Sequence, residues 1–271
     1  MQQGDAGLQQ LLESIARVAA GDYSNDIMAL TTDSTPEPIR SIAEAMGLMM
    51  VKVEAREFRL EQLVDELRAL NERIRQNTVQ TVAAMAQALE ARDSYTRGHA
   101  ERVAALAAEI AVEMGFDQER IELVRIAGVL HDIGKIGCSD RIFQDHGPKN
   151  PPDVVREILS HPAVGAEILS RLEFLDLVTA IIVAHHERVD GTGYPNKLPF
   201  EQIPLEARII AVADGFDAMT TDRPYQKART WEVALGILHS GSGAQWDGDC
   251  VTAFERVLAR KQAAQPDHLV K

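Results

Sequence analysis

The chain has 271 residues, 45% hydrophobic and 25% charged, a balance that excludes a fibrous, mucin-like or largely disordered protein. Lys plus Arg total 28 against 41 Asp plus Glu, and the net charge of −13 excludes a broad nucleic-acid surface, which needs a basic field. Aromatic residues make up only 5%, no apolar run approaches the roughly 18 residues of a membrane span, and the N-terminus does not read as a leader, so a helical cytoplasmic protein without a membrane span is expected.

Leu8, Leu11, Ile15 and Val18 predict a first helix, which Gly21-Asp22-Tyr23-Ser24 breaks. Thr35-Pro36-Glu37-Pro38 opens a second, proline being suited to a first turn. Apolar side chains then recur at Ile39, Ile42, Met46, Met49 and Val53, and again at Leu60, Leu63, Leu67, Leu70 and Ile74, with Arg56 the polar residue on the seam. A period of about 3.5 residues predicts a parallel coiled coil, hence a homodimer through residues 39–74; one long helix laid along the following domain is the other reading. Helix, short connector and the stretch from Pro36 to Met50 resemble the two halves of a HAMP signalling module over residues 8–53. Such modules usually follow a membrane helix, so the resemblance implies a soluble variant or a chain that begins inside a longer protein.

After Asn77 the heptads stop. Breaks at Gly115, Gly134 to Pro152, His161-Pro162, Asp190 to Pro199 and Gly241 to Gly248 predict shorter amphipathic helices, and no alternating β-branched run is long enough for a sheet. The expected organisation is a HAMP-like and coiled-coil segment over 1–77, an all-α domain over 78–260 and a polar tail at 261–271. Cys138 and Cys250 form no ligand-spaced pair, as suits a reducing compartment.

Five of the eight histidines stand in unusual settings: His99, His131, His161, His185 and His186. His131-Asp132 closes the apolar run Ile126-Ala127-Gly128-Val129-Leu130, with Lys135 three residues on. Asp214 ends the apolar stretch Arg208-Ile209-Ile210-Ala211-Val212-Ala213, where an unpaired buried carboxylate costs on the order of several kcal/mol. A divalent cation removes that cost, and imidazole with carboxylate suits Fe, Mn, Zn or Ni. So many donors from separate helices exceed what one catalytic ion with an open position takes. They fit a pair of ions about 3.5–4 Å apart, which polarises a phosphoryl oxygen and supplies a nucleophile at neutral pH. That is chemistry for phosphoester hydrolysis. His146, His239 and His268 lack such neighbours and read as surface or packing residues.

The stretch Arg92-Asp93-Ser94-Tyr95-Thr96-Arg97-Gly98-His99, followed by His131-Asp132-Ile133-Gly134-Lys135, resembles the HD-GYP branch of the HD-domain phosphohydrolases. His161-Pro162, His185-His186-Glu187-Arg188 and Asp190-Gly191-Thr192-Gly193-Tyr194-Pro195 continue the resemblance. Ala211-Val212-Ala213-Asp214-Gly215-Phe216-Asp217 and Asp222-Arg223-Pro224-Tyr225 complete it, over roughly residues 80 to 258. The resemblance implies an all-α helical core, an HD-type domain, around a metal centre that hydrolyses cyclic di-GMP to pGpG, with further cleavage to GMP left open. By position, one ion takes His99, His131, Asp132 and Asp214, and the other takes Asp132 as the bridge with His161, His185 and His186. Some members add a glutamate one turn before the first histidine and bind a third ion; Tyr95 stands there, so two are expected, Fe or Mn before Zn, Ni or Mg. Lys135 matches the catalytic lysine, and Asp132 serves both ions. Arg223 matches the arginine that holds substrate phosphate, assisted by Lys227, while Gly193 and Tyr194 shape the substrate loop, Tyr194 being placed to stack on a guanine. The alternatives are a catalytically weak receptor that signals by protein contact and a hydrolase acting on cyclic GMP-AMP.

Overall fold

The computed structural model describes residues 2–23, 25–91, 98–144, 150–222 and 227–264. Nine α-helices are present among them: α1 (Gln2–Ala19), α2 (Glu37–Glu90), α3 (His99–Glu113), α4 (Gln118–Leu130), α5 (Pro152–Leu169), α6 (Asp176–Ala184), α7 (Leu205–Thr220), α8 (Trp231–Ser240) and α9 (Gly248–Ala264). No strand occurs among the described residues, so the expected all-α class is the observed one. The chain divides into two compact units, Met1–Ile74 and Arg75–Lys271.

In the first unit, Leu11 of α1 and Ile27 and Leu30 of the connector pack against Ile39, Ala43 and Met50 of α2, with Val18, Tyr23 and Met46 at the edge. The stripe that turns inward is therefore 39, 43, 46 and 50, because the connector and α1 cover one side of the helix. Ile42 and Met49 of the heptad seam stay exposed. Farther on, Leu60, Leu67, Leu70 and Ile74 each keep more than half their surface exposed.

α2 differs from the sequence reading at its end: it runs through Asn77 to Glu90. Heptads stop because the helix changes partners, from there presenting Val79, Val82, Ala83 and Ala86 to the core of the second unit. In that unit α3 packs on α4, α7 and α9, α4 on α6, and α5 on α6. Asp117 caps α4 by accepting from the Arg120 N–H at 2.8 Å, and Thr230 caps α8. Val103, Ala107, Leu130, Ile182, Ile210 and Phe254 are fully buried between these helices. His161-Pro162 does not break a helix as expected: α5 runs straight through both. At the other end α9 continues past residue 260 to Ala264. Cys138 and Cys250 are both buried and unpaired.

Candidate metal centre

Each histidine of the expected set is delivered by a helix end or a helix face. His99 is the first residue of α3, His131 directly follows α4, His161 lies within α5, and His185 directly follows α6. Asp132 and His186 come next in sequence to their histidines, and Asp214 projects from the middle of α7. His99, His131, His161 and His185 are 4% exposed or less, at the centre of the helical core.

Three groups of donors converge within 4.8 Å: His99, His131 and Asp214; His161, His185 and His186; and His131, Asp132 and His185. Asp132 stands between the other two groups. Its Oδ1 lies 3.2 Å from His161 Nε2, and its Oδ2 lies 3.5 Å from His131 Nε2 and 4.0 Å from His99 Nε2. His99 Nε2 approaches Asp214 Oδ1 to 3.3 Å. The seven residues expected to hold metal are thus brought together.

The direction of each ring tests whether a cation belongs here. His131, His161 and His185 place Nδ1 at 2.7, 2.6 and 2.6 Å from the main-chain carbonyls of Gly128, Ile158 and Ile182. A carbonyl only accepts, so each Nδ1 carries a proton and each ring turns its Nε2 atom inward. The Nε2 atoms of His161 and His185 face each other at 3.3 Å. Where both carry lone pairs these repel, and a cation between such rings removes the repulsion. Nitrogen and carboxylate donors with fixed outer hydrogen bonds are what a divalent transition metal takes.

Electrostatics agree. Burial pushes His131 and His185 down and His186 down to about 4, so these rings stay neutral as ligands must. Burial also opposes charge on Asp132, but the ammonium of Lys135 is the largest influence against it, and the carboxyl is held well below the usual range. Lys135 pairs its ammonium with Asp132 Oδ2. His99 differs: against the opposing effect of burial, hydrogen bonds to Asp214 and Asp217 raise it to about 9.

Asp217 is a residue that motif reading left unassigned. Its Oδ2 accepts from His99 Nδ1 at 2.7 Å, and Arg102 clamps both carboxylate oxygens at 2.6 and 3.0 Å. Spacing could have pointed to both, since Asp217 is three residues after Asp214 and Arg102 three after His99, each on the same helical face. Glu90, at the end of α2, also escaped notice. Its carboxylate accepts from the N–H groups of Gly98 and Ala100 at 3.0 and 2.6 Å, capping α3 where His99 begins it.

The glycine-rich loop lies beside the centre. Tyr194 stacks on His186 at 4.8 Å, and the nearby carboxylates Asp214 and Asp132 help burial raise its phenol. Glu187, buried, accepts from the N–H groups of Asn196 and Leu198 and so holds the loop. Gly193 must be glycine, because a Cβ would stand 2.3 Å from the Arg188 nitrogen. Lys227 is exposed between α7 and α8, and His239 is exposed beside Glu255 at 3.5 Å. Arg223, Tyr95, His146 and His268 lie outside the described residues.

The sequence pattern described as "HD domain" matches residues 83–250, more than half of the chain. A Xanthomonas campestris protein named cyclic di-GMP phosphodiesterase response regulator RpfG is 38% identical over 210 residues, 77% of this chain and 54% of its own length. The Vibrio cholerae 3'3'-cGAMP-specific phosphodiesterase 3 is 37% identical over 178 residues, covering 65% of this chain and 38% of that protein. This chain therefore spans about half or less of these relatives. A crystal structure of a V. cholerae cyclic GMP-AMP phosphodiesterase (V-cGAP3) shares the fold at a TM-score of 0.55 and 20% identity, over 69% of this chain and 50% of that one. With the histidine and aspartate motifs gathered at the centre of a helical core, this chain belongs to the HD-domain family.

Proposed function

We propose that the chain is a metal-dependent phosphodiesterase of the HD-GYP branch, hydrolysing cyclic di-GMP to pGpG. The observation that carries this is the position of Asp132, whose two oxygens face different histidine groups. In this reading two ions, Fe or Mn, are held by His99, His131, Asp132 and Asp214 on one side and by Asp132, His161, His185 and His186 on the other. When bound, such a pair supplies Lewis acidity at a phosphoryl oxygen and a nucleophile at neutral pH. The chain's own residues do the rest. Lys135, beside Asp132, meets the charge that grows on the departing 3′-oxygen and gives it a proton. Tyr194, one face against His186, offers the other to a guanine, and the tight turn at Gly193 keeps that ring in place. Arg223 and Lys227 are assigned to substrate phosphate, guanidinium matching its oxygens bidentately.

A second substrate is favoured by a specific relative, the one named for 3′3′-cGAMP. The deciding experiment loads the purified protein with Mn(II) or Fe(II), offers each cyclic dinucleotide separately and resolves the products by chromatography. Linear pGpG from cyclic di-GMP is expected. Faster turnover of cyclic GMP-AMP would reassign the substrate, and binding without product from either, with metal bound, would make the protein a receptor.

The assembly proposed is a parallel homodimer through residues 39–74, supported by the exposed leucines along α2, with the HAMP-like helices as its signal input and the cytoplasm as its place of action.

A further inference from the structure

The histidines of the centre follow one positional rule. Inside an α-helix every carbonyl is taken by the N–H four residues on, whereas the last carbonyls have no such partner. His131 follows the last residue of α4 and uses the carbonyl of Gly128, three residues back. His185 follows α6 and uses that of Ile182 in the same way. Both draw on acceptors that exist because the helix stops.

His161 makes the identical contact, Nδ1 to the Ile158 carbonyl at 2.6 Å, yet α5 continues to Leu169. By helix geometry the Ile158 oxygen belongs to the N–H of residue 162. That residue is proline, buried inside the helix, and it has no N–H. A proline ring also pushes outward the carbonyl four residues back, toward side chains that can reach it.

We infer that Pro162 is a positioning residue of the metal centre. By leaving the Ile158 oxygen free for the Nδ1 proton of His161, it turns the Nε2 atom toward Asp132 and His185. His99 obeys the same logic from the opposite end. It is the first residue of α3, and its Nδ1 takes the Asp217 carboxylate. This inference rests on the reading of His161 as a metal ligand.

The test compares Pro162→Ala, Pro162→Gly and His161→Ala in the full chain, stripped of metal and titrated with Mn(II). Histidine tautomers are read by ¹⁵N NMR on the metal-free protein, and thermal midpoints are recorded. An interior proline weakens a helix, so Pro162→Ala on structural grounds alone keeps or raises the midpoint. The expected result is an unchanged or higher midpoint, a mixed tautomer at His161 and about tenfold weaker binding of one ion only, the scale of a lost outer-sphere partner. Native affinity with a single tautomer in Pro162→Ala, or in Pro162→Gly should the alanine variant not fold, overturns the role of Pro162. Equal weakening of both ions with a lowered midpoint does the same, because it marks structural support alone. Undiminished metal in His161→Ala overturns the ligand reading itself.

Discussion

At the scale of single residues, Asp132 and Lys135 form one ion pair with two different tasks. Asp132 faces both histidine groups, so Asp132→Ala should abolish turnover and lower bound metal below two ions per chain, measured by elemental analysis of the folded protein. Wild-type metal content with wild-type rate in that variant would falsify the bridging assignment. Lys135 is proposed to act without holding metal. Lys135→Ala should keep both ions while kcat falls about 10²–10³-fold, the usual effect of removing a group that meets charge only in the transition state. A parallel fall in metal content would place the lysine in the metal site instead. The Asp217 and Arg102 pair shows how such sites extend outward: a carboxylate aligns the ring of His99, and a guanidinium fixes the carboxylate.

Among the elements, the short helical turn Ile133–Gly137 matters most, because it carries Asp132 and Lys135 to the face of α5. Their approach is backbone to backbone. A Cβ on Gly134 would lie 1.9 Å from the His161 carbonyl oxygen and 2.5 Å from the Gly165 nitrogen, and neither atom can move without moving α5. Gly134→Ala should therefore cost about 1–3 kcal/mol in a denaturant melt, the range for overpacking, and should separate Asp132 from His161. An unchanged melt would mean the turn and α5 shift apart freely. The end of α2 is a second contact of this kind: Glu90 caps α3, and Ala86, Leu89 and Glu90 line one small cleft with Asp132 and Lys135. A helix that begins far upstream thus ends as a wall of the site.

For the whole molecule, the question is what covers the apolar seam of α2. Leu60, Leu67, Leu70 and Ile74 are exposed along α2, a stripe that invites a second copy. Arg56 on that seam suits a two-stranded parallel pair, where a long side chain reaches past its neighbour to water. Replacing Leu63 and Leu67 with Asp places unpaired charges in the proposed interface, so light scattering should report monomers with helicity retained. A dimer that survives both substitutions with unchanged helicity would move the interface elsewhere.

The sequence by itself determined the all-α class and the helix-rich order, because both depend on local pattern, helical periodicity and capping residues; the seven donors were legible through the resemblance to the HD-GYP branch, which carries them by position. Two boundaries read from the sequence were overridden by packing. Asn77 looked like an end because the heptads stop there, but α2 continues and only exchanges one apolar face for another. Pro162 looked like a break, yet α5 passes through it, since the carbonyl it leaves unpaired finds a donor in the ring of His161. Only the tertiary structure decided which histidine nitrogen points inward, that Asp217 and Arg102 stand behind His99, and that Glu90 caps α3. Those contacts join side chains as many as 118 positions apart, and no local pattern carries the direction of a ring.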